Sequence, residues 1–310
     1  MNIFTENFLK VNTSEIVKQI REIGYFKHEG ALSEEFVSNI KNDVKKAGLS
    51  LNNNGVGGVY FTHGNQFFLT HMLASSKSFY DYCTNSRIIN FCKEIFGNQF
   101  RLKALRYYEN FGGQHMMWHT DNRLYEKNKK GETHTSSPGI IFLAYIDDVE
   151  DGEFQYIKGS HIWSGENTFH DYTVDHIKKN YEKDIVGFKG KKGTILIYNT
   201  WGVHRAKPTS DTNFVRKTLF FQVEKDINHS EPILLNPEYI NEVNDDVKMY
   251  LGFGKKATNN IYPTTDIFTM PFNKEVSNVI LRWVLSRIVL RFPGFLRKKV
   301  RKLFNIPTNK

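Results

Sequence analysis

The sequence predicts a mainly β domain with flanking helices, of the α+β class. Apolar residues recur at helical spacing in the first third of the chain and then alternate with polar residues from residue 99 onward. Gly, Asn, Asp and Pro separate the alternating segments, as they do between the strands of antiparallel sheets. Helices followed by strands favour a β-core that is wrapped by N-terminal helices, and 310 residues suffice for a sizeable core.

Four helices are predicted before the strands. Thr13 or Ser14 caps the first helix, which ends at Gly24. The second helix begins after Ser33 and ends at Gly48. Two further helices are predicted over residues 71–82 and 86–96. Between the second helix and the third, residues 52–58 are rich in Asn and Gly and form a loop, but no Gly-Lys-Ser/Thr follows, so this loop is not a phosphate-binding one.

Alternating apolar residues predict six strands, and two long connections separate some of them. A connection of more than about 12–15 residues in a compact domain is usually functional or disordered. The first connection, 122–138, directly follows His119 and Asp121, which are candidate metal ligands for the reasons given below, so we interpret it as a substrate lid. The second connection is 162–192. The predicted strands are 99–108, 116–121, 139–146, 153–157, 193–198 and 215–223.

Positive charge is concentrated at the C-terminal end. Residues 276–310 contain nine Lys or Arg and no Asp or Glu, so the formal net charge of +9 lies in this tail and residues 1–275 are neutral. We therefore expect a domain over 1–275 and a basic helical tail over 276–310. A neutral body makes nucleic acid an unlikely partner.

The tail has an amphipathic pattern. Over residues 295–304, Leu296, Val300 and Leu303 lie opposite a basic face, and such helices bind readily to anionic membrane surfaces. Docking of the tail on the body is the alternative. The N-terminus lacks the pattern of a secretory signal, and no run of about 18 apolar residues that could span a membrane occurs. Cys83 and Cys92 match neither a disulfide framework nor the spacing of a zinc site. We expect a cytoplasmic protein, either free or peripheral at the membrane.

The most informative residues are His119 and Asp121. They lie two apart in a predicted strand, so their side chains point to one face, and His204 offers a third ligand farther along the chain. Two His and one carboxylate leave about half of an octahedral coordination sphere open, as in non-haem Fe(II) oxygenases. A His-x-Asp alone is weak evidence, because a lone His on a strand is more often a core or surface residue.

Other motifs follow in a specific order. Residues 157–161 read Ile-Lys-Gly-Ser-His, a glycine-led strand covers 193–198, and Arg216 lies in the strand after His204. This order resembles the phytanoyl-CoA dioxygenase family of Fe(II)/2-oxoglutarate oxygenases, from about residue 14 to 224. Lys158 and Thr120 depart from that family's usual Pro and Gln, and neither is a candidate ligand.

The resemblance implies a double-stranded β-helix, which is a jelly-roll, cupin-like core. It implies that His119, Asp121 and His204 bind Fe(II). It also implies that Arg216 pairs with the distal carboxylate of 2-oxoglutarate, with Thr218 on the same face as a hydroxyl donor. A planar guanidinium suits this role because it binds a carboxylate through two parallel hydrogen bonds.

The implied reaction consumes O2 and 2-oxoglutarate and releases succinate and CO2. Because Asp121 keeps a carboxylate where related halogenases have a small residue, hydroxylation of a small or lipid-like molecule is favoured over halogenation. Tyr107, Ser160 and His161 are candidate substrate contacts, although Ser160 and His161 could simply belong to a turn. The alternatives are a catalytically inactive jelly-roll binding module and a peripheral membrane scaffold that uses the tail.

Overall fold

The computed structural model describes most of the body and part of the tail. The described residues are 2–47, 59–62, 66–111, 117–121, 138–163, 172–209, 211, 214–225, 230–231, 233–255, 281, 284–285, 288 and 291–303. Their helices are α1 (Glu6–Leu9), α2 (Thr13–Ile23), α3 (Glu34–Ala47), α4 (Met72–Ser75), α5 (Lys77–Cys83), α6 (Ser86–Phe96), α7 (Val174–Tyr181), α8 (Asp245–Leu251) and α9 (Gly294–Leu303). Their strands are β1 (Tyr25–His28), β2 (Val59–Thr62), β3 (Gln66–Leu69), β4 (Arg101–Phe111), β5 (Ile140–Tyr145), β6 (Val149–Ile157), β7 (Ile185–Gly190), β8 (Ile195–Asn199), β9 (His204–Ala206) and β10 (Val215–Glu224).

The strands form two antiparallel sheets. The larger sheet has the order β1-β8-β5-β10-β4-β3-β2, and the smaller has the order β7-β6-β9. A single antiparallel bridge between His119 and His204 adds a short segment beside β9. Antiparallel sheets with flanking helices confirm the predicted fold class.

The middle of the larger sheet is buried on both faces at β5. All six of its residues are buried. Ile140, Phe142 and Ala144 pack into the core shared with the helices, whereas Ile141 and Leu143 pack into a second apolar cluster together with side chains of the smaller sheet. A strand covered on both sides has no need for polar alternation, which explains its continuous apolar sequence. The second cluster lies between the sheets.

Helix α2 is found close to its predicted position. Asn12, rather than Thr13 or Ser14, is its N-cap, because the Asn12 carboxamide oxygen accepts a hydrogen bond from the Ser14 N–H at 2.9 Å. The helix ends at Gly24, as predicted, with φ of 93°. A Cβ there would also lie 2.4 Å from Tyr156 Oη, so this close approach needs glycine as well.

The predicted helix over residues 71–82 is two helices, α4 and α5. Ser76 separates them with extended backbone, and its hydroxyl accepts a hydrogen bond from the Phe79 N–H at 3.0 Å. The same hydroxyl donates to Asp43 Oδ2 at 2.6 Å. An internal serine that caps a new helix therefore ends the first one. The predicted helix over 86–96 is confirmed as α6.

Five of the predicted strands are present with shifted ends, as β4, β5, β6, β8 and β10. The predicted strand over 116–121 is wrong as a strand, since the described part, 117–121, contributes only the bridge at His119. The prediction that residues 162–192 form a long connection without secondary structure is also wrong, because α7 and β7 lie within this range. The alternating pattern missed β7 because Phe188 is its one buried residue.

Several predictions lie outside the described residues. These include the lid over 122–138 except for its last residue, the loop over 52–58 and the helix end at Gly48. The domain boundary at residue 275 also stays a prediction, because 256–280 are outside the described part. Among the described residues, no helix combines the length and apolar character required to cross a membrane.

Candidate metal centre

His119, Asp121 and His204 converge in space. One potential ligand atom from each lies within 4.8 Å of the others. The Nε2 atom of His204 is 3.4 Å from Asp121 Oδ2, and the Nε2 atom of His119 is 3.8 Å from Asp121 Oδ1. The structure thus brings together the three residues that the sequence suggested as ligands.

The backbone explains why the two imidazoles are neighbours. The His119 N–H donates to the His204 carbonyl at 3.0 Å, and the His204 N–H donates to the His119 carbonyl at 2.9 Å. Residues that face each other in an antiparallel pair place their side chains on the same side. The ring centroids are accordingly 4.4 Å apart. The Asp121 N–H donates to the Thr200 carbonyl at 2.9 Å, which fixes the third residue on the same strand edge.

Each histidine is oriented by its own backbone. His119 Nδ1 lies 2.8 Å from the Met117 carbonyl oxygen, and His204 Nδ1 lies 2.9 Å from the Gly202 carbonyl oxygen. A carbonyl only accepts, so Nδ1 carries the proton and donates in both rings. The lone pair of each Nε2 is therefore free to bind a metal, which is the usual arrangement of metal-binding histidines.

The protonation states also suit a cation. Burial and the neighbouring His204 lower the pKa of His119. Burial acts to raise the pKa of Asp121, but His204 and His119 outweigh it and bring this pKa down to about 2. At neutral pH the cluster therefore offers a neutral imidazole at His119 and a charged carboxylate, the forms that bind a divalent metal.

The centre is packed on one side and open on the other. The His204 side chain is 4% exposed, whereas those of His119 and Asp121 are 29% and 32% exposed. Phe154 and Tyr198 contact the His204 ring at centroid distances of 5.3 and 5.0 Å. The aromatic side chains hold one ligand rigidly, and the open side leaves room for additional ligands.

Arg216 is a buried cation between the two sheets. Its Nη1 donates to the Gly152 carbonyl at 2.6 Å and its Nη2 donates to Asn110 Oδ1 at 2.8 Å. Two buried donors, Arg216 Nε and Asn110 Nδ2, find no acceptor within the described part of the chain. Such groups are rarely left unpaired, so an acceptor-only ligand such as a carboxylate fits here. Thr218 is buried on the same face, while Lys217 points the other way and pairs with Asp147 at 3.5 Å.

Tyr108 connects Arg216 with the metal ligands. It lies opposite Thr218 in the β4–β10 register. Burial raises the pKa of Tyr108; the charge of Arg216 acts against this rise and the charge of Asp121 adds to it. Tyr108, which packs against the apolar cluster between the sheets, is therefore close enough to Arg216 and to Asp121 for both charges to affect its pKa.

The sequence did not single out Asn110 or Tyr198. Tyr108 and Asn110 alternate along β4 on the face that carries Arg216 in the neighbouring strand. This alternation is visible in the sequence, but its meaning depends on the pairing of β4 with β10, which the sequence does not reveal.

The structure does not bring Tyr107 to the centre. Tyr107 packs in the core on the helix side of the larger sheet, and its hydroxyl donates to Glu109 Oε1 at 2.7 Å. The next residue, Tyr108, faces the inter-sheet cluster instead. The physical reason is that successive side chains of a strand point to opposite faces.

Ser160 and His161 are buried and bonded to main-chain groups. The Ser160 hydroxyl donates to the Ile157 carbonyl at 2.6 Å and accepts from the Val203 N–H at 2.7 Å. His161 Nε2 lies 3.0 Å from the Arg21 carbonyl oxygen. Ser160 thus fixes the residue immediately before His204, and His161 connects its turn to helix α2.

Comparison with known proteins supports this architecture. The family model described as phytanoyl-CoA dioxygenase (PhyH) matches residues 20–218. No curated protein sequence matches the chain. HygX from Streptomyces hygroscopicus, crystallised with nickel, 2-oxoglutarate and hygromycin B, is similar in structure, with a TM-score of 0.54 and 15% identity over 72% of this chain and 92% of HygX.

A second similar structure is SnoK, a non-haem alpha-ketoglutarate-dependent carbocyclase from nogalamycin biosynthesis. Its TM-score is 0.50, with 16% identity over 70% of this chain and 85% of SnoK. At these identities, the two structures speak for the fold alone. The family model covers well over half of the sequence, and its range includes all three residues of the metal cluster. The chain therefore belongs to the phytanoyl-CoA dioxygenase family.

Proposed function

We propose that this chain is a non-haem Fe(II)- and 2-oxoglutarate-dependent dioxygenase that hydroxylates a C–H bond of a small or lipid-like molecule. The observation that carries the proposal is the cluster of His119, Asp121 and His204, in which both Nδ1 atoms are held by backbone carbonyls and one potential ligand atom of each residue lies within 4.8 Å of the others. Membership of the family supports it. The similar protein HygX was crystallised with a metal and 2-oxoglutarate.

The three clustered residues would hold Fe(II) through two imidazole nitrogens and one carboxylate oxygen. Such a set leaves positions open on the metal for 2-oxoglutarate and O2. When bound, these groups supply the oxidation of the substrate C–H bond, with release of succinate and CO2. The protein residues contribute the orientation of the ligands, a dry inter-sheet space and the position of the substrate.

Arg216 would bind the distal carboxylate of 2-oxoglutarate. Its unpaired Nε and the Asn110 amide are buried donors, and a carboxylate offers two acceptor oxygens. Thr218 adds a hydroxyl on the same face. Burial strengthens this recognition because water competes poorly with the carboxylate at a site that is closed to solvent.

The proposed reaction is hydroxylation. Asp121 keeps the carboxylate ligand, so a halide would have no vacated position beside the metal. SnoK is described as a carbocyclase, which indicates that this fold also hosts ring-forming oxidations. Mass spectrometry of the product separates the two outcomes, because hydroxylation adds an oxygen atom and ring formation removes two hydrogen atoms.

The proposed substrate is a small molecule rather than a nucleic acid. The similar protein HygX was crystallised with hygromycin B. Residues 1–275 carry equal numbers of basic and acidic side chains, so the body lacks the charge that a polyanion would require.

The function is tested by two measurements on the full chain. Calorimetric titration with Fe(II) under anaerobic conditions should show one tight site in the wild type and none in His204→Ala. Succinate release from 2-oxoglutarate, in the presence of Fe(II), ascorbate and a broad panel of small molecules, should be stimulated by a substrate. Tight binding of iron and 2-oxoglutarate without any succinate release would contradict the enzyme and favour a binding module.

A further inference from the structure

Apolar side chains form a stripe on the C-terminal tail. Leu281, Val284 and Ile288 have helical backbone and are 56%, 37% and 47% exposed. Their spacing of three and four residues places them on one face of a helix. An apolar stripe on one face of a helix favours contact with an apolar partner.

Further exposed apolar side chains follow the break at Pro293. Phe295 at 72% and Leu303 at 78% are the most exposed large apolar side chains of α9, and Phe292 precedes this helix. In the described part of the chain, thirteen large apolar side chains are exposed, and seven lie between residues 281 and 303. The others are scattered over the body. Clustering on this scale marks an interaction surface.

The charge of the tail indicates which partner covers it. Nine Lys or Arg and no acidic residue occur over residues 276–310. A polyanion alone would satisfy the charge but would leave Ile288 and Phe295 in water. An anionic bilayer offers both the phosphate groups and an apolar layer beneath them. The interruption over residues 291–293 divides the tail into two short segments, which suits a flat surface better than a groove built for one continuous helix.

We propose that residues 281–303 bind the surface of membranes that contain anionic lipids. The apolar stripe lies at the level of the acyl chains, and the basic side chains contact the lipid phosphates. This anchor holds the oxygenase body at the lipid surface. The inference does not depend on the proposed oxidation, because it concerns residues outside the metal centre.

Vesicle co-sedimentation of the full-length protein tests the proposal. Vesicles of phosphatidylcholine alone are compared with vesicles that also contain phosphatidylglycerol, at equal total lipid. We expect sedimentation with the anionic vesicles and little with the neutral ones. Raising the salt concentration should weaken binding, since it screens the attraction between Lys or Arg and the headgroups.

Two matched double variants assign the contact. Ile288→Ser with Phe295→Ser removes apolar side chains from the tail, and Leu9→Ser with Phe253→Ser removes two exposed apolar side chains from the body, which are 52% and 44% exposed. The tail pair should lower the partition coefficient by at least about tenfold, because each serine removes apolar area that the bilayer would bury. The body pair should bind as the wild type does.

Three results would overturn the proposal. The first is wild-type protein that stays in the supernatant or sediments equally with neutral vesicles. The second is a tail pair that binds as tightly as the wild type. The third is a tail pair that lowers the melting temperature by several degrees when the body pair does not, which would mean that the stripe packs on the body.

Discussion

His119 and His204 face each other across one backbone pair, in which each residue donates its N–H to the carbonyl of the other at 3.0 and 2.9 Å. The same pair sets their ring centroids 4.4 Å apart. The geometry of the candidate metal centre is therefore determined by main-chain hydrogen bonds. The side chains of His119 and His204 then supply the potential ligand atoms.

Replacing His204 should remove metal binding but leave the fold intact. His204→Ala deletes one of three ligands and keeps the backbone pair with His119, so iron affinity and succinate release should fall by at least about a hundredfold. Isothermal calorimetry and succinate assays measure these quantities, and circular dichroism checks the fold. His176→Ala, a histidine of helix α7 outside the cluster, is the control. Iron affinity that is retained in His204→Ala would reject this ligand.

Replacing Arg216 should affect the cosubstrate rather than the metal. Arg216→Ala removes the buried guanidinium, so the 2-oxoglutarate concentration needed for half-maximal turnover should rise tens- to hundreds-fold, while iron affinity stays within about threefold. Lys217→Ala is the matched control, since Lys217 is the next residue and points away. An unchanged 2-oxoglutarate requirement in Arg216→Ala would show that another residue binds the carboxylate.

The sequence singled out His119 and Asp121 as candidate metal ligands because their chemistry and spacing are local, and the order of motifs that resembles the family added His204. It gave Tyr107 as a candidate substrate contact, whereas the structure directs the adjacent Tyr108 to the inter-sheet space. Two adjacent tyrosines on a strand point to opposite faces of the sheet. Which face lies against the site depends on the pairing of strands that are distant in the sequence. For the same reason, Asn110 was not recognised as the partner of Arg216. Strand β9 was missed because it has only three residues.

Ser160 should act by positioning the segment that leads to His204. Its hydroxyl accepts from the Val203 N–H at 2.7 Å in a buried environment. Ser160→Ala would leave that N–H without its acceptor and should lower the free energy of unfolding by about 1–3 kcal/mol. Iron affinity should also fall in Ser160→Ala, because the segment that leads to His204 would be held less firmly. Denaturant unfolding and calorimetry test this.

Ser75→Ala is the control variant. The Ser75 hydroxyl donates to the carbonyl of His71, the residue that precedes helix α4, and it makes no contact with the metal cluster. This variant should leave iron affinity unchanged. If Ser160 contacted substrate instead, Ser160→Ala would raise KM without a change in stability or iron binding.

Tyr145 should make stability depend on alkaline pH. Its hydroxyl donates to the Phe188 carbonyl at 2.7 Å, and burial raises its pKa to about 12. The unfolded value is about 10. Because the folded pKa is the higher one, the stabilising effect of the neutral form is complete below about pH 10. It is lost as the pH rises towards about 12, at about 1.4 kcal/mol per pH unit.

Denaturant unfolding of the wild type and Tyr145→Phe between about pH 9 and about pH 12 measures this contribution. The variant should be less stable at pH 9, since it lacks the hydrogen bond, but its stability should decline less steeply. Parallel curves for the two proteins would contradict the assignment, because other buried tyrosines contribute equally to both.

Gly202 should be essential for the position of His204. Its carbonyl accepts the hydrogen bond from His204 Nδ1 at 2.9 Å, and a Cβ at this position would lie 1.7 Å from Tyr156 Oη. Gly202→Ala must therefore displace either the buried Tyr156 or the main chain that orients His204. We expect a loss of about 1–3 kcal/mol in stability and a fall in iron affinity. Gly294→Ala is the control, because a Cβ there meets nothing within 4 Å. Wild-type iron affinity in Gly202→Ala would mean that the carbonyl does not control the orientation of the His204 ring.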